Sequence, residues 1–163
     1  MHKILFVCLG NICRSPLAEG IMLDLKQKHN LNIQIDSAGT SSFHIGEAPD
    51  PRTIKNAKKN GVDLSQLVAR QFVESDFDEF DFIFAMDQSN LTNIADLMNN
   101  KINKAQIALL TDLLHDNSAQ KVPDPYYGTA QDFEAVFQLV LRCCEILTER
   151  IKNKRPLIHQ KSF

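Results

Sequence analysis

Cys8 and Arg14 stand with five residues between them in Cys8-Leu9-Gly10-Asn11-Ile12-Cys13-Arg14-Ser15, which follows the apolar run Ile4-Leu5-Phe6-Val7 and leads into Pro16. A segment of that length can close around one tetrahedral oxyanion with its backbone N–H groups turned inward. Gly10 is the residue expected to supply the positive φ that such a curve needs. Pro16 suits the first turn of a helix, whose free N–H groups and positive dipole end favour an anion. Arg14 adds a planar fork that can bind two phosphoryl oxygens at once. The same positive field is expected to hold Cys8 as the thiolate, its reactive form. A nucleophile on the floor of an oxyanion cradle points to phosphoryl transfer. Taken alone, Cys-x5-Arg is short enough to arise by chance, and Cys8 could merely end a buried strand. Its place between an apolar strand and a Ser-Pro helix start is what favours chemistry.

Displacing an alkoxide or phenoxide from phosphorus calls for a proton donor on the leaving-group side. Val122-Pro123-Asp124-Pro125-Tyr126-Tyr127-Gly128 offers one. Two prolines flank Asp124, restricting φ on both sides and biasing Asp124 itself toward extended backbone. A stiff loop of this kind can hold a carboxyl at a fixed distance from the cradle. Tyr126 and Tyr127 could wall a slot for an aromatic leaving group. Without the first motif, an ordinary Asp-Pro turn would be the better reading.

The elements that must position these groups alternate between short apolar runs and helical patterns. Strands are expected at 4–8, 32–37, 80–86 and 106–110, the first apolar throughout, as in a parallel sheet covered on both faces. Helices are expected from about 16 to 29, from 51 to a stop at Asn60-Gly61, after an Asp87 cap, and from about 131 to 152. Such alternation implies a parallel sheet with right-handed crossovers and helices on both faces. Ligands then sit beyond the carboxyl ends of the strands. Cys8, Ser37, Asp87 and Asp112 all fall there and are expected to share one rim.

The 163 residues suffice for one domain with a sizeable core, assigned to 1–153, followed by a basic tail at 154–163 expected to fray. A net charge of −2 gives no reason to expect nucleic acid or an anionic membrane as partner. No apolar run approaches a membrane span, and nothing at the start resembles a signal peptide, so the cytoplasm is the expected compartment. The cysteines Cys8, Cys13, Cys143 and Cys144 match no zinc spacing, and no histidines pair at helical spacing, so no metal or other cofactor is implied. Cys143 and Cys144 lie in an amphipathic pattern that suits core packing. Cys13 is the nearest thiol able to trap an oxidised Cys8 as a disulfide, with simple space-filling behind the loop as the alternative.

Both motifs, with Asp36-Ser37-Ala38-Gly39-Thr40, Ala69-Arg70-Gln71, Asp81-Phe82-Ile83-Phe84-Ala85-Met86-Asp87 and Cys143-Cys144, resemble the low-molecular-weight protein tyrosine phosphatases over essentially the whole length. The resemblance implies a three-layer α/β/α sandwich around a four-stranded parallel sheet of order 2-1-3-4. It implies a monomer that hydrolyses phosphotyrosine in proteins, and small aryl phosphates, through a phosphocysteine, with inorganic phosphate or similar oxyanions binding the same loop. Cys8 is then the nucleophile, Arg14 binds the phosphoryl group, and Asp124 is general acid and then base. Leu9, Gly10, Asn11, Ile12, Cys13, Arg14 and Ser15 form the phosphate-binding loop. Ser15 helps the Cys8 sulfur leave, and Asn11 and Ser37 brace the loop from behind. Ile12, Phe43, Tyr126 and Tyr127 line the substrate slot.

One departure stands out. Where many members carry a histidine in the bracing network, this chain has Leu67. Either the network is one partner short or another group replaces the histidine. Two related enzymes remain as alternatives, an arsenate reductase and a protein-arginine phosphatase. The first needs relay cysteines that are missing from the segment 80–100. Relatives of the second carry threonine at the place of Ile12 and lack the Tyr-Tyr pair. A non-catalytic phosphotyrosine-binding module would need neither Cys8 nor Asp124.

Overall fold

The apolar run at the start of the chain becomes a central strand because it has a buried face on each side. In the computed structural model, which describes residues 1–98, 103–114 and 119–158, β1 spans His2–Cys8. Its Ile4, Phe6 and Cys8 join one core cluster, while Leu5 and Val7 join another on the opposite face. Side chains that alternate between two apolar layers leave no polar face, which is why the run reads as continuous. Strand β1 pairs with β2 (Ile33–Gly39) on one side and with β3 (Phe82–Ala85) on the other, and β4 (Gln106–Leu109) lies beyond β3. All the pairings are parallel, and the order is β2-β1-β3-β4, as the resemblance implied.

Helix α1 (Arg14–His29) and helix α5 (Ala130–Lys152) pack together on one face, and α2 (Pro51–Lys59) leans on α5. The other face is covered by α4 (Gln88–Leu97), through Ile94, and by Phe77 of the short α3 (Asp76–Glu79), with Phe72 and Phe80 beside it. Among the described residues no helix is long and apolar enough to cross a membrane.

The caps follow the sequence closely. Asp50 accepts the Arg52 N–H at the start of α2 with Pro51 in its first turn, and Asp87 accepts the Asn90 N–H at the start of α4. The helix after the cradle begins at Arg14 rather than at Pro16. Pro16 therefore occupies the third helical position, where its missing N–H still costs nothing. The strand expected at 80–86 is shorter, because Phe80 turns into the core beneath α3 and the Asp81 carboxylate accepts the Lys3 N–H. The 3-10 turn Leu110–Leu113 was also not foreseen; a single turn carries too few residues to show a period.

The tail expected to fray is tied down over its first part. Leu157 is buried in the larger core cluster, its carbonyl accepts a hydrogen bond from Arg150 Nη1 at 2.9 Å, and the Arg155 N–H reaches the Arg150 carbonyl. Ile158 packs against the same cluster, so two apolar side chains and these hydrogen bonds anchor the segment. Residues 159–163, including Lys161, lie outside the described residues.

Candidate active site

The parallel register brings the ends of β1, β2 and β3 together, with Cys8 opposite Gly39 and Val7 opposite Ala85. Between Cys8 and α1 the chain makes a tight loop, but Gly10 does not supply its positive φ. Asn11 does, at φ 55°. Asparagine tolerates this region, and here its side chain makes three hydrogen bonds, two of them buried. At about 1 kcal/mol net each, they outweigh a left-handed cost on the order of 1 kcal/mol. Gly10 serves closeness instead, since a Cβ there would lie 3.0 Å from His44 Cδ2. Gly39 does the same on β2, where a Cβ would meet the Leu9 carbonyl oxygen at 2.7 Å.

The bracing of Asn11 dictates where its neighbours send their protons. Its amide donates to Ser15 Oγ at 2.8 Å and Ser37 Oγ at 2.9 Å, and its Oδ1 accepts the Arg70 N–H at 2.9 Å. Each serine hydroxyl has one proton, so each must find an acceptor elsewhere. Ser37 gives its proton to Glu19 Oε2 at 2.5 Å. Ser15 has Cys8 Sγ at 3.0 Å and the Ala38 carbonyl at 3.3 Å, so the sulfur is the nearer partner. Cys8 Sγ also accepts the Asn11 N–H at 3.3 Å. Leu67 takes no part, for it packs against the larger core cluster. The network closes on Glu19 instead.

Glu19 was not singled out from the sequence, although it lies four residues after Ser15 on the same face of α1. Burial pushes its pKa up to about 7; Ser37 lowers it, Asp36 raises it and Arg70 lowers it. Arg70 spans the back of the site, with Nε on Asp36 and both terminal nitrogens on Asp76.

Arg14 is 2% exposed and its guanidinium turns toward the acid loop. Nη1 donates to Asp87 Oδ2 at 2.6 Å and to the Val122 carbonyl at 3.1 Å, and Nη2 reaches Asp124 Oδ2 at 3.4 Å. Burial works against its charge, but Cys8, Asp87 and Asp124 more than offset that and raise its pKa. Burial likewise works against ionised Asp87, yet Arg14 and the Asn90 N–H hold its carboxyl below the usual range. Asp87 thus caps α4 and steadies Arg14 with the same carboxylate. The sequence places Asp87 both as the α4 cap and on the rim with Cys8; its ion pair with Arg14 is what the structure adds.

The other expected residues divide. Asp124 arrives at Arg14 with its side chain 44% exposed, and its Oδ1 accepts the Tyr126 N–H at 3.1 Å. Tyr126 is half-buried and Tyr127 stands almost fully in solvent, the two rings edge to face with centroids 4.9 Å apart. Phe43 is 82% exposed on the loop after β2. Leu9 is half-exposed. Ile12 gives the slot little surface, because it is buried with Cys13, Ala69 and Phe133. Asp112 follows the end of β4, where its carboxylate caps the 3-10 turn by accepting the Leu109 N–H. Cys13 is buried at the head of α1, and burial is the main cause that pushes its thiol up to about 12. Cys143 and Cys144 are fully buried in α5, as core packing requires.

Residues 3–157 match the family model for low molecular weight phosphotyrosine protein phosphatase. The low molecular weight protein-tyrosine-phosphatase YfkJ of Bacillus subtilis is 42% identical over 159 residues, covering 96% of this chain and 100% of that protein. The human low molecular weight phosphotyrosine protein phosphatase is 44% identical over 152 residues, 91% of this chain and 94% of its own. Among solved structures, the Entamoeba histolytica protein tyrosine phosphatase with Hepes in its active site superposes with a TM-score of 0.87. The two are 39% identical, and the match covers 94% of this chain and 99% of that one. With its sheet order, cradle and acid loop in the same frame, this chain belongs to the low molecular weight phosphotyrosine protein phosphatase family.

Proposed function

We propose that this chain hydrolyses phosphotyrosine in proteins, and small aryl phosphates, through a phosphocysteine at Cys8. The observation that carries the reading is the convergence of three groups at one end of the sheet. Cys8 Sγ sits on the floor of the loop with two donors on it, while Arg14 in the same loop reaches across to Asp124. Phosphoryl transfer needs this set: an in-line nucleophile, a cation for the equatorial oxygens and an acid for the leaving group.

In the first step Cys8 Sγ attacks phosphorus as the P–O bond to the phenolic oxygen breaks, and Asp124 hands its proton to that oxygen. Arg14 trades its acceptors Asp124 and Val122 for two phosphoryl oxygens, with Asp87 keeping the fork oriented. In the second step Asp124, now a carboxylate, takes a proton from water as the water oxygen attacks phosphorus and the P–S bond breaks. Ser15 steadies the departing sulfur, because Asn11 leaves its hydroxyl proton free to point there. Asn11 and Ser37 hold the loop in register.

Tyr126 and Phe43 supply apolar surface at the mouth, which suits an aryl leaving group better than an alkyl one. Arsenate reduction is the weaker reading, as the two remaining cysteines are buried in α5 with burial raising both thiols. Cys13 is the resolving thiol for an oxidised Cys8. In that step the Cys13 sulfur attacks the sulfenic sulfur of Cys8, its proton leaving with the sulfenic hydroxyl as water; burial raises its pKa to about 12, which slows the attack. Peroxide inactivation is then reversible by thiol in wild type and largely irreversible in Cys13→Ser; equal recovery of both removes Cys13 from that role. Four free cysteines suit a reducing compartment, the cytoplasm.

The test is the rate on aryl phosphate, alkyl phosphate and arsenate for wild type and Cys8→Ser. The reading requires the aryl phosphate to be preferred and the serine variant to be inactive while still binding phosphate. Comparable turnover by Cys8→Ser, or reduction of arsenate, overturns it.

A further inference from the structure

We propose that Arg52 is a positioning residue for the general acid, tying the loop that carries Asp124 to the phosphate-binding loop. The inference rests on the proposed role of Asp124. Arg52 lies in the first turn of α2, on neither motif, and its side chain is 47% exposed, where a lone cation would ordinarily be solvated. Instead its position is fixed by Asp50, whose Oδ1 accepts Nε at 3.0 Å and whose Oδ2 accepts Nη2 at 2.8 Å. A two-point contact of this kind sets the plane of the guanidinium as well as its place.

That plane is used. The guanidinium carbon lies 5.3 Å from the centre of the Tyr126 ring and 4.7 Å from the centre of the Phe133 ring, both within cation–π reach. Phe133 belongs to the cluster under Ile12 and Cys13, so it anchors one side of the contact to the phosphate loop. Asp50 anchors it again, since its N–H donates to the Ile12 carbonyl at 2.7 Å. On the other side, the Tyr126 N–H donates to Asp124 Oδ1. A continuous path therefore runs from Ile12 through Asp50, Arg52 and Tyr126 to the acid. From the opposite side Asp124 has a long contact to Arg14, at 3.4 Å. Substrate must take that contact away when the phosphoryl group claims Arg14. Once it does, the hold through Tyr126 is what keeps the carboxyl aimed at the leaving oxygen.

A residue that places the acid matters most when the leaving group needs a proton. The experiment measures kcat/KM for a series of aryl phosphates, from phenyl to dinitrophenyl, for wild type, Arg52→Ala, Arg52→Lys, Asp124→Asn and Arg52→Ala/Asp124→Asn. Inhibition by inorganic phosphate and thermal melts are recorded alongside. Arg52→Ala is expected to lose about fivefold on phenyl phosphate, the scale of one exposed cation–π contact. On dinitrophenyl phosphate the loss should be less than about twofold, since that leaving group departs unprotonated. Phosphate inhibition should hold at the wild-type value. Arg52→Lys, with the charge but not the plane, should recover only part of the loss. In the Asp124→Asn background the Arg52 substitution should have almost no effect on the series. An equal loss across the series in Arg52→Ala, or additive losses in the double variant, overturns the role of Arg52. An Asp124→Asn protein with no leaving-group dependence instead overturns the acid on which the inference rests.

Discussion

At the scale of single residues, the site assigns each side chain one chemical task and a second, supporting contact. Asp124 is held by the Tyr126 N–H and faces Arg14, so its removal should alter chemistry more than structure. Asp124→Asn keeps that shape and loses the proton. It should slow the hydrolysis of poor leaving groups by roughly 10²–10⁴, the usual contribution of a positioned acid. Measured along an aryl phosphate series, the deficit should shrink as the leaving group becomes more acidic. A constant deficit would assign Asp124 a structural task. Arg14 shares this logic. Under the proposed mechanism its contacts to Val122 and Asp124 yield to phosphoryl oxygens, while Asp87, at 2.6 Å, stays.

At the scale of elements, the loop after β1 depends on α1 and β2 more than on its own sequence. Asn11 is held by Ser15 from α1, Ser37 from β2 and the backbone of Arg70, and the path ends on Glu19 one turn further along α1. Glu19 faces Asp36 and Arg70 as well as Ser37, and its pKa stands at about 7 against 4.5 for a free glutamate, with burial the largest cause. Between these two values the folded state keeps a proton that the unfolded chain has released. Stability therefore falls as pH rises through that window. Glu19→Gln retains an acceptor for the Ser37 hydroxyl and cannot ionise. Thermal melts across pH 4 to 8 should show the variant gaining on wild type between about 4.5 and 7 and holding that gain above. Parallel curves would mean that Glu19 is solvated.

The cradle motif and the acid loop were legible because each is contiguous in sequence. Glu19, Arg52 and the Arg14 contact of Asp87 were not, because each acts across a distance that only the packed sheet closes. The role expected of Gly10 fell to Asn11 for a related reason. An asparagine whose side chain finds hydrogen-bond partners can occupy a left-handed position, and here those partners come from other elements.

At the scale of the whole molecule, the alternation of apolar runs and helical periods was sufficient to give the layers and the parallel sheet. The strand order came with the resemblance. The short α3, the 3-10 turn and the anchored tail escaped, since each is fixed by one or two buried side chains rather than by a repeated pattern. Leu157 shows the principle, because its buried side chain, with Ile158 packed against the same cluster, holds the chain beyond α5. Leu157→Ala should cost about 2–5 kcal/mol in denaturant unfolding while leaving kcat/KM unchanged in the folded enzyme. A change below about 0.5 kcal/mol would fit a frayed tail instead. The central claim, that phosphate passes through Cys8, is open to one direct measurement on the intact protein. Wild type mixed with an aryl phosphate and quenched in acid within the first turnovers should carry one added phosphoryl group by mass, located on Cys8 and absent from Cys8→Ser. Steady turnover with no phosphorylated protein at any quench time, or with the group on another residue, would contradict the account.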